Sequence, residues 1–183
     1  MVIAHCLHKW TFTDVASVIS QKVKTFGTRH VNHINFRKGM ELMKYVDYKA
    51  KHQKEFNKLP MKAAFGDNQF KEMMAEWGLT TSKEDIEKIA SLGGGAYCLK
   101  EDQHLFIEFA ERSVKDDEEF YSNDENLKDA LIYEFGNHEC GYTWEFENGI
   151  TALGFSVKEF LSDERKAKVF IDARQEYIKN LEG

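Results

Sequence analysis

The chain has 183 residues, 42% of them hydrophobic, with 25 Lys/Arg against 31 Asp/Glu and a formal charge of −6, which suits a domain able to bury its own core without a metal or disulfide staple. Its apolar runs fall far short of the roughly 20 residues that cross a bilayer, and the first twenty residues, broken by His5, His8, Lys9 and Asp14, do not read as a secretory leader. Cysteines occur only at 6, 98 and 140, without CxxC spacing, so a disulfide framework is not expected and a reducing, cytoplasmic setting is.

Charge is unevenly spread: residues 1–39 carry +5 and the remainder −11. In the basic N-terminal block, His5 with His8 and His30 with His33 form two His-x-x-His pairs, candidates for a metal site, but structural zinc sites usually include thiolates and only Cys6 is near. The histidines are therefore read as incidental, and no cofactor is expected. The stretch "FRKGMELMKY", residues 36–45, bears on where the protein starts. Arg37, Lys38 and Gly39 can be encoded by a purine-rich run like a bacterial ribosome-binding sequence, at a spacing suited to initiation at Met43. The expectation is thus a spurious or poorly structured extension over residues 1–42, and a single acidic helical domain over 43–183.

From Met43 to Asn57 the polar, Lys-rich sequence predicts a helix that Pro60, the only proline, ends by restricting Leu59 to extended backbone. "MKAAF" predicts a short strand. Asp67 or Asn68 can cap a helix with Phe70, Met73, Met74 and Trp77 at i, i+3, i+4 and i+7, closed by Gly78. "SKED", residues 82–85, resembles a capping box and predicts a helix placing Ile86, Ile89 and Ala90 on one face, stopped by the glycines at 93–95. Those glycines follow a predicted helix and precede a strand, the reverse of a phosphate loop, so they are read as a turn. "AYCL" predicts a second strand, able to form a hairpin-like ladder with the first.

A long helix is predicted from about Glu101 to Tyr121, with Leu105, Phe106, Phe109, Ala110, Val114, Phe120 and Tyr121 inside and "KDDEE" outside. The next opens after Asn123 and carries Leu127, Ala130, Leu131, Phe135 and His138. Ser156 with Glu159 forms another capping box, and Ser162 can cap a final helix bearing Val169, Phe170, Ala173, Tyr177 and Leu181. The fold class expected is mainly α (α+β): a compact multi-helix domain with a small two-stranded sheet.

The runs "YKAKHQKEFNKLPMKAAFGDNQFKEMMAEWGL", "IASLGGGAYCLKEDQHLFIEF", "ALIYEFGNHECGYT" and "ALGFS" resemble an uncharacterised family of small acidic proteins of bacteria and their phages or mobile elements, over about residues 43–183. The resemblance implies members that begin near "YKAK" and brings no activity or site residues with it. Residues 1–39 depart from it.

Two clusters carry candidate chemistry. "GNHECGY" sets His138, Glu139 and Cys140 side by side, with Glu134 one helical turn earlier, a pattern that suggests acid–base work and, for Cys140, a nucleophile. Sequence neighbours diverge on a helix, however, and His138 shares a face with Leu127, Leu131 and Phe135, so it is expected in the core. "GYTWEF" follows the helix and can show Tyr142, Trp144 or Phe146 to a partner, since Trp and Tyr dominate binding hot spots. The acidic run "KDDEEFYSNDEN" reads by default as a solvated face; its alternative use is mimicry of a nucleic-acid backbone. The acidic body argues against direct nucleic-acid binding. The function expected is non-enzymatic: a cytoplasmic accessory protein that occupies a host protein. Alternatives are a nucleic-acid mimic inhibiting a host enzyme, or a small hydrolase-like enzyme using Glu134, His138 and Glu139.

Overall fold

In a computed structural model, residues 43–182 are described; the expectations for the N-terminal block, its four histidines and the start of translation lie outside them. The described residues divide into two compact units, residues 51–114 and residues 43–50 with 115–182, the division falling within two helices, α1 (Tyr45–Phe56) and α4 (Gln103–Tyr121). Nine α-helices and one three-stranded antiparallel sheet make the described residues mainly α.

In the first unit the strands β1 (Lys62–Ala63), β2 (Ile89–Gly93) and β3 (Ala96–Leu99) lie in the order β1-β3-β2, with Lys62 opposite Tyr97 and Ile89 opposite Leu99. The pairing of "MKAAF" with "AYCL" matches the expected ladder. Period-two alternation sends Ala96 and Cys98 to one face, where they pack with Leu92, Phe56, Phe106 and Phe109. Tyr97 and Leu99 go to the other face, with Ile89 and with Met73 and Met74 of α2 (Asp67–Glu76). Gly78, at φ 70, turns the chain out of α2, as its position after the last apolar residue predicts.

The expected helix over residues 82–92 is corrected. Ser82 does cap, its side chain accepting from Asp85 N at 3.3 Å, but α3 (Lys83–Ile86) stops after one turn and Ile89–Gly93 is a strand. β3 supplies hydrogen-bond partners that a single amphipathic turn lacks, and pairing overrides the helical spacing of Ile86, Ile89 and Ala90. Gly93, Gly94 and Gly95 all take positive φ (100, 51 and 85°) in the β2–β3 turn, the backbone that glycine alone adopts without strain.

The second unit is built around α5 (Asp124–Asn137). The Asn123 side chain caps it, accepting from Glu125 N at 2.9 Å and Asn126 N at 3.2 Å. Leu127, Ala130, Leu131 and Phe135 are fully buried against α7 (Glu147–Ala152) and α9 (Glu164–Leu181). Phe135 meets Phe146, Phe170 and Tyr177 edge-on at centroid distances of 5.1, 5.8 and 5.7 Å, the geometry that aligns ring edge with ring face. Ser156 precedes α8 (Val157–Ser162) without making the expected side-chain cap. α9 is capped one residue later than expected, by Asp163 rather than Ser162, the carboxylate accepting from Lys166 N at 3.0 Å; Ser162 spends its hydroxyl on Glu159 O.

On α4, Val114 is exposed rather than inside, and Ser113 is buried in its place. The buried stripe runs through Phe106, Phe109, Ala110, Ser113, Phe120 and Tyr121, and 113 rather than 114 continues the i, i+4 spacing from Phe109.

Candidate functional site

The site begins where α5 ends. His138 is the C-cap, its N–H bonded to Glu134 O at 2.9 Å, and Glu139 then takes left-handed backbone at φ 51. A single turn, α6 (Cys140–Thr143), follows and is closed by Trp144, again left-handed at φ 62. Left-handed backbone costs a non-glycine residue about 1 kcal/mol or more, so the surrounding contacts must hold this turn. Cys140 is fully buried, its thiol donating to Glu145 O at 3.3 Å, and Phe146 is buried in the Phe135 cluster. Gly141 permits close approach to α9: a Cβ there would stand 2.5 Å from Leu181 Cδ1.

Between the anchors Cys140 and Phe146, the two aromatics turn outward. Tyr142 is 88% exposed and Trp144 62%. Phe146, the third candidate for a partner-facing ring, is buried instead and serves as anchor, with Arg174 Cζ 4.8 Å from its ring centroid. Glu139, Glu145 and Glu147 are exposed around the turn, and residues 129–157 contain five acidic side chains and no lysine or arginine.

Of the acid–base candidates, Glu134 and His138 approach each other to 3.6 Å. His138 is 41% exposed, which corrects its expected place in the core: the helix ends at this residue, and the face that buries Phe135 does not extend to it. Glu134 is the buried member, 3% exposed, with Oε1 3.0 Å from Lys49 Nζ and Oε2 accepting from Asn137 Nδ2 at 3.0 Å. His138 Nε2 stands 3.6 Å from the same Oε2, beyond hydrogen-bond reach. Glu139 lies past the chain reversal and bonds to neither through its side chain. Burial raises the Cys140 thiol, and that of Cys98 up to about 11, so neither is a ready thiolate. A depression of about 190 Å³ in this unit is lined by Met43, Lys44, Asn126, Asp129 and Ile132 among others, and by none of Glu134, His138 or Glu139. Among the described residues, no three His, Cys, Asp or Glu side chains are grouped to hold a metal ion.

A polar cluster escaped the reading of the sequence. The Tyr48 hydroxyl donates to Asp117 Oδ1 at 2.6 Å, and burial, opposed by that bond and assisted by Asp116, pushes Asp117 up to about 6. Burial also raises the phenols of Tyr45, Tyr48 and Tyr121. Asp117 sits inside a run that looks solvated, yet it is four residues after buried Ser113 and three before Phe120, and that spacing is the signal that locates it.

A family model described as "Family of unknown function (DUF7659)" matches residues 44–176. No curated protein and no solved structure matches the chain. With most of its length matched, the chain belongs to the DUF7659 family of unknown function.

Proposed function

We propose that the chain is a small accessory protein of a phage or mobile element that acts in the bacterial cytoplasm by binding a host protein, with Tyr142 and Trp144 as the contact. The observation that carries this reading is the exposure of two large aromatic side chains, 88% and 62%, on a turn with two buried anchors and two left-handed residues. Rigid, exposed Tyr and Trp gain more from partner burial than flexible side chains do, because little conformational entropy is lost. The acid–base alternative is not favoured: Glu134 is committed to Lys49 and Asn137, and His138 is 41% exposed at the helix end.

Affinity purification of the tagged chain from a natural host, beside the Tyr142→Ala/Trp144→Ala double variant, tests the proposal. A stoichiometric protein recovered by the wild type and lost by the double variant is expected. Recovery of no such protein, or equal recovery by both chains, overturns the proposal; recovery of a nucleic-acid enzyme dependent instead on the acidic run at 115–126 establishes the mimicry alternative.

A further inference from the structure

We infer that the occupant of the Tyr142–Trp144 surface is a cationic segment of a protein, one that lays an arginine or lysine side chain against these rings inside a rim of carboxylates; this rests on the binding reading above. The segment combines exposed aromatic rings with exposed carboxylates. Tyr142 and Trp144 are exposed, and so are Glu139, Glu145 and Glu147, each within three residues along the chain of one or the other. Among the described residues none of these three carboxylates has an ion-pair partner of its own: Glu145 accepts only from Asn148 Nδ2 at 3.2 Å, and the nearest basic residues along the chain are Lys128 and Lys158.

An aromatic face attracts a cation within about 6 Å of its centroid, and more strongly once water is excluded. This unit already uses that contact with three of its own cations: Arg174 Cζ lies 4.8 Å from the Phe146 centroid, Lys49 Nζ 4.9 Å from that of Tyr133 and Lys166 Nζ 5.2 Å from that of Phe155. Phe146 itself meets Trp144 edge-on at 6.1 Å, so the inner ring of the segment has the chain's own guanidinium while, among the described residues, no cation stands over Tyr142 or Trp144. Neighbouring carboxylates add complementarity that favours a cationic partner, and they repel an acidic peptide or a nucleic-acid backbone. Arg174 is held against Phe146, the buried side of the segment, and leaves the negative rim uncompensated.

The test is selection of a random peptide library, about twelve residues long, on the immobilised full chain, with the Tyr142→Ala/Trp144→Ala variant as counter-selection. The expected survivors are enriched in Lys and Arg. A representative peptide then binds the aromatic double variant about tenfold or more weaker, and binds Glu139→Gln/Glu145→Gln/Glu147→Gln about threefold or more weaker, the latter loss shrinking as salt is raised. Peptides that depend on Tyr142 and Trp144 but lack basic residues, or ignore the glutamine substitutions, overturn the cationic assignment and leave the binding reading standing. Peptides indifferent to the aromatic variant, or no survivors, overturn both. Circular dichroism and thermal melting confirm that the variants fold, and Tyr142→Ser, at the most exposed position, provides a milder variant if the double substitution does not.

Discussion

Lys49 Nζ lies 3.0 Å from Oε1 of Glu134, joining a 40% exposed cation to a 3% exposed carboxylate. Lys49 also sits over the rings of Tyr45 and Tyr133, 5.4 and 4.9 Å from their centroids, so the pair ties the first turns of α1 to α5. Replacing Glu134 with Ala strips Lys49 and Asn137 of their shared acceptor. We expect a loss of about 2–4 kcal/mol in urea unfolding, whereas His138→Ala, at an exposed helix end, costs less than about 1 kcal/mol. Equal losses for the two substitutions would show that His138 is the structural member after all.

Asp117 carries a pH dependence with a definite sign. Its folded-state value of about 6 lies above the unfolded one of about 3.9, so the folded chain holds the proton more tightly. Its contribution to stability is complete below pH 4 and is lost as pH rises through 6. Asp117→Asn, which can still accept from Tyr48, is expected to be more stable than wild type at pH 7.5 by up to about 2–3 kcal/mol, the two chains converging near pH 4. Asp85 and Asp163, held below the usual carboxylate range, act in the opposite direction but cancel in the comparison. Parallel stability profiles for the two chains would refute the assignment.

Asn126 and Leu127 are neighbours with opposite roles. Asn126 is 1% exposed and, among the described residues, neither polar atom of its amide has a partner, while Leu127 is wholly buried in the main cluster. Truncating Leu127 to Ala should cost about 2–5 kcal/mol. Truncating Asn126 to Ala should cost less than about 1 kcal/mol, because the lost contacts are offset by removal of a desolvated, unpaired amide. Chemical denaturation of the two variants decides it, and comparable losses would mean that the Asn126 amide is bonded in solution.

Two glycines separate rigid from yielding surroundings. A Cβ on Gly149 would stand 2.7 Å from two ring carbons of Phe135, a side chain with no exposure, so Gly149→Ala is expected to cost about 1–3 kcal/mol or more through overpacking. A Cβ on Gly141 meets chiefly Leu181 Cδ1, the end of a side chain 58% exposed near the last turn of α9, which can swing aside. Gly141→Ala should therefore lower the melting temperature much less than Gly149→Ala; the reverse order would show that the α6–α9 contact is the stiffer one.

Local chemistry was legible where it is self-contained. The caps at Ser82 and Asn123, the turn at Gly78, the buried positions of α5 up to Phe135 and the break at Pro60 each depend on a few adjacent residues, and the sequence alone determined them. So did the charge asymmetry and the cluster of aromatics and acids after α5. Tertiary structure decided the rest, because periodicity shows which residues share a face but not what covers that face. Ile89–Gly93 became a strand because β3 was there to pair with it. Ser113, rather than Val114, joined the buried stripe because packing follows a continuous helical surface, and the half-buried Asp117 beside it finds a partner in Tyr48. Phe146 went inward and Tyr142 and Trp144 outward because left-handed backbone at Glu139 and Trp144 redirects the chain on either side of the buried Cys140 turn, and no spacing rule applies across a reversal. The candidate site was thus readable as a set of residue types, and its division into anchor, exposed aromatic and buried carboxylate came from the contacts of Phe135, Arg174 and Lys49, on elements distant in the chain.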